Sequence, residues 1–247
     1  SLSELFELNI SNADVALLAQ AAEVRIGLNC GLMDQYAVLE SKRAHCLLLD
    51  CQNLEFDFLP ADFQDCSIVL LNTNIKHHLA DSAYNHRRLD VERALSKLKN
   101  RYPQLGSPRD VDFTMLRDSE DLLSEIEIKR LSFVLEENER VLSTCEALKA
   151  GDMEKVGQLM NESHVGLSTK YEVSCPELDF LAAFAQQKDY VQGSRMMGGG
   201  FGGCTINLVK NGYEERFISE AAMSYKSSMN LDATHFIVSI GEGVCQV

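Results

Sequence analysis

An α+β architecture, with helices packed on one face of an antiparallel sheet, is what these 247 residues point to. Between residues 82 and 186, long segments carry apolar residues at helical spacing and stop at Pro or Gly. Short apolar or alternating runs before and after them read as strands. A glycine cluster at 198–203 joins one strand to another, which removes the dinucleotide-fold reading its G-x-G-x-x-G spacing invites.

Ser11 and Asp14 form an S-x-x-D capping box for a helix reaching about Ile26. After "GLNCG" a second helix is expected from about Leu32 to Leu39. "AHCLLLDC" and "LEFDFLP" read as two strands joined by a short turn, and "CSIVLLNTN" as a buried third. Pro60 and the polar "ADFQD" mark a domain boundary. Helices follow over Ser82–Arg101, Leu123–Ala150, Met153–Thr169 and Glu177–Gln186. The chain then runs strand, glycine loop, strand (204–209), helix (about 213–229) and strand (234–240). The acidic runs at Asp118–Asp121 and Glu136–Glu139 read as solvated helix faces.

A formal charge of −14 argues against nucleic acid, whose binding needs a stripe of Lys and Arg, and against an anionic membrane surface. It leaves a nucleotide substrate open, because backbone amides and one Mg²⁺ hold phosphates with few cations. Eight cysteines lack any C-x-x-C pair and sit in apolar or strand-like contexts, which reads as reduced, mostly buried thiols in a cytoplasmic protein. No apolar run approaches the ~20 residues of a membrane span. The opening "SLSELFELNISNADVALLAQ" has no initiator Met or basic leader and begins as though inside a helix-rich domain, so upstream sequence is expected.

Three stretches hold candidate chemistry. In "NCGLMDQYA", Gly31 permits a sharp turn or a close ligand, and Asp34 falls in the first turn of the helix that follows. There a carboxylate can accept a proton or hydrogen bond from a substrate hydroxyl, or merely neutralise a helix end. "NTNIKHHLADSAYNHRR" carries His77, His78 and His86, but adjacent histidines diverge and no second ligand cluster follows, so zinc is not expected. Tyr84 in the same stretch faces a cleft or packs half-buried with a wet tip. "GSRMMGGGFGGC" supplies Gly198, Gly199, Gly200, Gly202 and Gly203; no Lys-Ser or Lys-Thr follows, so it is not a P-loop.

Together, "CGLMDQYA", "NTNIKHHLADSAYNHRR", "SHVGLSTKYEVSCPELD" and "GSRMMGGGFGGCTINLV" resemble galactokinases, of the GHMP small-molecule kinase superfamily, over essentially the whole chain. The resemblance implies residues 1–64 as the latter part of an S5-like N-terminal domain, and 65–247 as a ferredoxin-like C-terminal domain with added helices. It implies transfer of phosphate from ATP, with Mg²⁺, to the anomeric hydroxyl of galactose. By this likeness Asp34 is the catalytic aspartate, Gly31 a backbone contact to the sugar, and Tyr84 a contact to a ring hydroxyl. The glycine loop then lies beside the active site and shapes it without wrapping the triphosphate.

Two positions depart from the family. Met197 stands where Thr is usual, and Glu23, the counterpart of a Mg²⁺-ligating glutamate, is eleven residues before Asp34, one fewer than usual. The family's N-terminal signature and phosphate-binding loop are absent from these residues. The chain's own N-terminal segment is therefore an expected partner, and the isolated chain is expected to be inactive. The alternatives are a catalytically silent sugar sensor and an N-acetylgalactosamine kinase.

Overall fold

The computed structural model describes residues 6, 8–27, 30–61, 63, 65–75 and 83–244. They fall into two compact units, Ser1–Asp62 with Ser239–Val247, and Phe63–Val238. The final residues, grouped with the second domain on sequence grounds, join the first unit: Gly243 N–H donates to Ser41 O and Val244 N–H to Val38 O.

The first unit holds helices α1 (Asn12–Arg25) and α2 (Met33–Glu40) and an antiparallel hairpin, β1 (His45–Leu49) with β2 (Phe56–Pro60). Ser11 caps α1 by accepting from Asp14 N–H at 3.1 Å. The expected capping box is only half made, because Asp14 accepts from the Ser11 hydroxyl and not from its backbone. A small core of Ala16, Leu32 and Tyr36 packs on Leu47 and Phe56 of the hairpin. Around it, Leu18, Val24, Ile26 and Met33 remain exposed.

In the second unit, β3 (Cys66–Asn72), β4 (Val191–Met196), β5 (Cys204–Lys210) and β6 (Thr234–Val238) form an antiparallel sheet ordered β4-β5-β3-β6. The pairing Val69↔Asn207 places Val69, Leu71 and Val209 on one face. Helices α7 (Pro176–Gln186) and α8 (Glu214–Met229) cover that face with Leu181, Phe217, Ile218 and Tyr225. A second core joins α3 (Ala83–Leu98) to α5 (Glu125–Ala150) through Val91, Leu95, Leu98, Leu131 and Leu135. This mixed helix and antiparallel-sheet content is the expected α+β class.

The differences from the sequence reading sit at ends and turns. Helix α3 stops at Leu98, with Lys99–Arg101 in turns; Ser82 lies outside the described residues. Helix α5 starts at Glu125 because Ser124 and Glu127 make a full capping box. A short helix at Pro108–Asp110 and α4 (Phe113–Arg117) fill a stretch to which the sequence assigned no element, and Asp118–Asp121, expected on a helix face, lie in turns after α4. Helix α6 (Met153–Gly166) gives way to a π-helical turn, Leu167–Tyr171, where one continuous helix was expected. The acidic run at 136–139 is not simply solvated: Glu136 pairs with Lys170, and Glu137 with Arg140 and the Ser163 hydroxyl.

Candidate active site

Asp34 lies in the first turn of α2, as its position after Gly31 predicts, and is exposed. The turn before it is tied back to α1 by Gln20, whose amide donates to Cys30 O at 3.0 Å. The next residue, Gln35, is buried and donates to Glu23 Oε1 at 2.7 Å. Burial pushes the Cys30 thiol up, and the hydrogen-bonded Glu23 carboxylate and the charge of Asp34 push it the same way. Glu23, Cys30, Gln35 and Asp34 thus share one electrostatic neighbourhood. Gln35 Oε1 is buried there with no partner among the described residues.

Does that neighbourhood fit a Mg²⁺ ion? Among the described residues no three His, Cys, Asp or Glu side chains converge, so it is not an all-protein cage. Mg²⁺ asks less, one or two carboxylates besides phosphates and water, and Glu23 and Asp34, which both act on the Cys30 thiol, are carboxylates of the right chemistry. Helix α1 ends at Arg25, two residues past Glu23, which leaves Glu23 in its last turn toward Gln35. His77 and His78 lie outside the described residues, and His86 is exposed on α3.

In the second unit Tyr84 sits in the first turn of α3, half-buried, in a cluster with Val173, Met196 and Phe201. The glycine loop connects β4 to β5, strand to strand. It is fastened on two sides. Phe201 N–H donates to Val173 O at 2.7 Å, while Thr73 N–H and Oγ1 both donate to Gly203 O at 2.9 Å. Gly200 has φ +85°, and a Cβ there would stand 1.9 Å from Val173 O. Gly202 has φ +139°, and its Cβ would meet Ile75 O at 2.8 Å. The space beside Gly200 and Gly202 is filled by the chain's own backbone, so no phosphate could sit against these two glycines.

Sequence reasoning missed the ion network behind this cluster. Glu172 caps the π-helical turn, and its carboxylate takes Lys129 and Arg130 from α5. Arg87, three residues past Tyr84, donates through Nε (3.3 Å) and Nη2 (3.2 Å) to Glu172 O. It also missed His164, buried on α6, whose Nδ1 accepts Met196 N–H at 3.1 Å and whose Nε2 lies 3.4 Å from Asp179 Oδ1. One signal was available: Arg130 interrupts the apolar stripe of α5, and a buried guanidinium demands a carboxylate.

A family model described as GHMP kinases C terminal matches residues 145–225, the span from late α5 through the glycine loop into α8. A galactokinase of Clostridium perfringens is 38% identical over 244 residues, 98% of this chain and 63% of its own length. A galactokinase of Thermotoga petrophila is 37% identical over 248 residues, 100% of this chain and 68% of its own length.

The chain belongs to the galactokinase family.

The fold agrees: a galactokinase of Lactococcus lactis, solved in complex with galactose, matches with a TM-score of 0.93 at 33% identity, over 98% of this chain and 63% of that one. The chain therefore spans about 63% of the length of the Clostridium and Lactococcus galactokinases. Across the galactokinase resemblance, the quoted stretches of the second unit come together around Tyr84, Val173 and Phe201. Asp34, Gly31 and Glu23 belong to the first unit. No described helix is long and apolar enough to cross a membrane.

Proposed function

We propose that this chain carries the acceptor-side machinery of a galactokinase. The observation that carries this reading is Asp34, whose carboxylate stands exposed in the first turn of α2 while its neighbour Gln35 is buried on Glu23. A carboxylate so held can orient the anomeric hydroxyl of galactose and take its proton. The hydroxyl oxygen then bonds to the γ-phosphorus of ATP, the bond to the β,γ-bridging oxygen breaks, and ADP leaves. Because the transition state is loose, positioning and charge stabilisation supply most of the rate.

Gly31 is proposed as a backbone contact to the sugar and Tyr84 as a hydrogen-bond partner of a ring hydroxyl. The glycine loop, Gly198–Gly203, would give Tyr84 a fixed backing through Phe201. Glu23 would contribute one ligand to Mg²⁺, which when bound neutralises charge on the phosphates. The triphosphate itself would be held by residues beyond these 247, in the chain's own N-terminal segment. That segment would also cover the apolar side of α1 and α2, where Leu18 is 62% and Ile26 77% exposed. Residues up to about 64, together with the final residues from Ser239, would then be the latter part of the kinase N-terminal domain, and the residues between them its C-terminal domain, in a cytoplasmic enzyme.

Turnover of the complete kinase with ATP-Mg²⁺ tests the reading, using galactose and N-acetylgalactosamine as acceptors. Galactose should be the better substrate by kcat/KM. Preference for the acetylated sugar, or no turnover of either, would replace this function with one of the alternatives.

A further inference from the structure

We propose that Glu172 is a positioning residue, locking the helix that carries Tyr84 to the glycine loop and so setting the galactose-facing edge of the site. The consequence for galactose rests on the galactokinase reading; the lock itself does not.

Glu172 has φ 54° and ψ 50°, a left-handed conformation that a side chain with a Cβ adopts only when its surroundings impose it. Here they impose it from three sides. The Glu172 N–H closes the π-helical turn on Leu167 O. Its carbonyl accepts both Nε and Nη2 of Arg87, one helical turn beyond Tyr84 on α3. Its carboxylate takes Lys129 and Arg130, and Arg130 also donates to Lys170 O and lies 3.8 Å from Asp90 of α3. The next peptide carries the constraint onward, because Val173 O accepts Phe201 N–H at 2.7 Å.

Two consecutive residues therefore connect Arg87, on the same helix as Tyr84, to Phe201, which packs in the same cluster as Tyr84. An ordinary surface ion pair would contribute little, but the Arg130 side chain is only 3% exposed and needs its counter-charge. The Lys129 and Arg130 hydrogen bonds hold the Glu172 carboxyl at about 2, far below the usual range, so the lock stays charged at neutral pH. The π-helical turn that ends α6 closes on the residue that makes the connection.

The test uses Glu172→Gln and Glu172→Gly. Gln keeps the shape and removes the charge; Gly accepts the left-handed backbone and removes the side chain. In the complete kinase both should raise galactose KM by about tenfold, with kcat within about threefold and ATP KM unchanged. In the 247-residue chain, hydrogen exchange at the Phe201 amide should quicken by about tenfold or more. Unchanged exchange in both variants overturns the lock. Quickened exchange with an unchanged galactose KM, or a fall in melting temperature alone, overturns the positioning role. If either variant fails to fold, Lys129→Gln, which leaves Arg130 on the same carboxylate, should show both effects at smaller size, and neither effect there also overturns the proposal. Absence of galactose phosphorylation by the unmodified kinase would remove the galactokinase reading, and the exchange measurement alone would then decide the lock.

Discussion

In the first unit, Asp34 projects from an eight-residue helix and accepts no hydrogen bond among the described residues; in the second, Tyr84 stands on a sixteen-residue helix backed by a fastened loop and an ion network. The two arrangements suit the different tasks proposed for them. A group that must take a proton from a substrate gains from free lone pairs, and its support comes from neighbours such as Gln35 and the strap of Gly243 and Val244 on the end of α2. A group that holds one face of a sugar gains from rigidity, since looseness of about an ångström is costly at such a position. The glycines follow the same division. Gly200 is required by the protein's own packing, whereas a Cβ at Gly31 would meet nothing within 4 Å among the described residues.

The largest break in this comparison should come from Asp34→Asn in the complete kinase. Because the carboxylate is exposed and accepts no bond among the described residues, thermal stability should be nearly unchanged. Turnover should nevertheless fall by roughly 10²-fold or more, since the amide cannot accept the proton. Steady-state kinetics beside a melting curve decide it, and near-normal kcat would remove Asp34 from the chemistry.

Gly200→Val should do the reverse, striking stability first. The left-handed strain alone costs about 1–3 kcal/mol, and the clash with Val173 O adds to it. For a protein of this size each kcal/mol lowers Tm by about 2–4 °C. Gly198→Ala is the matched control: φ is +78° there too, but the added Cβ meets nothing within 4 Å, so it should lose only the strain. Equal melting temperatures for the two variants would show that the loop yields at Val173.

These contrasts also mark how far the sequence could be read. Among the described residues, periodicity and turn residues located the longer helices and five of the six strands to within a few residues, the strand before the glycine loop being expected without bounds, because apolar burial dictates both. The glycine loop's strand-to-strand course followed from the β-like residues after Gly203. What stayed hidden was long-range pairing. Nothing local says that Glu172 meets Lys129 and Arg130 some forty residues earlier, or that the acidic run at 136–137 turns inward to Lys170 and Arg140. The interval from Glu23 to Asp34 likewise could not say what Glu23 touches, which is the amide of Gln35, one residue past the aspartate.

A smaller effect separates the units by pH. Glu172, with its carboxyl held at about 2 against an ordinary 4.5, binds protons less readily folded than unfolded. Its contribution is therefore complete above about pH 4.5 and is lost as pH falls toward 2. The side chain is 40% exposed, so solvent screening limits that contribution to about 1 kcal/mol. Melting curves of the unmodified chain and of Glu172→Gln should differ by a few degrees at pH 6 and converge near pH 2–3. A gap that persists at low pH would mean that Glu172 stabilises through shape and not charge.

The smallest structural effect is expected at Gly31, and it is the most informative about where the ligand sits. Its φ is outside the left-handed region, it is exposed, and a methyl group there has room among the described residues. Gly31→Ala should therefore change stability by no more than about 0.5 kcal/mol. If the sugar approaches the backbone at this point, the same methyl group occupies part of its place, and galactose KM in the complete kinase should rise several-fold. The Asp34 carboxylate, proposed to accept the proton, is untouched, so kcat at saturating galactose should hold within about twofold. A loss of stability would mean that the glycine serves the turn between α1 and α2. Unchanged stability with unchanged KM would place the sugar away from Gly31, leaving Asp34 as the first unit's contact to the acceptor.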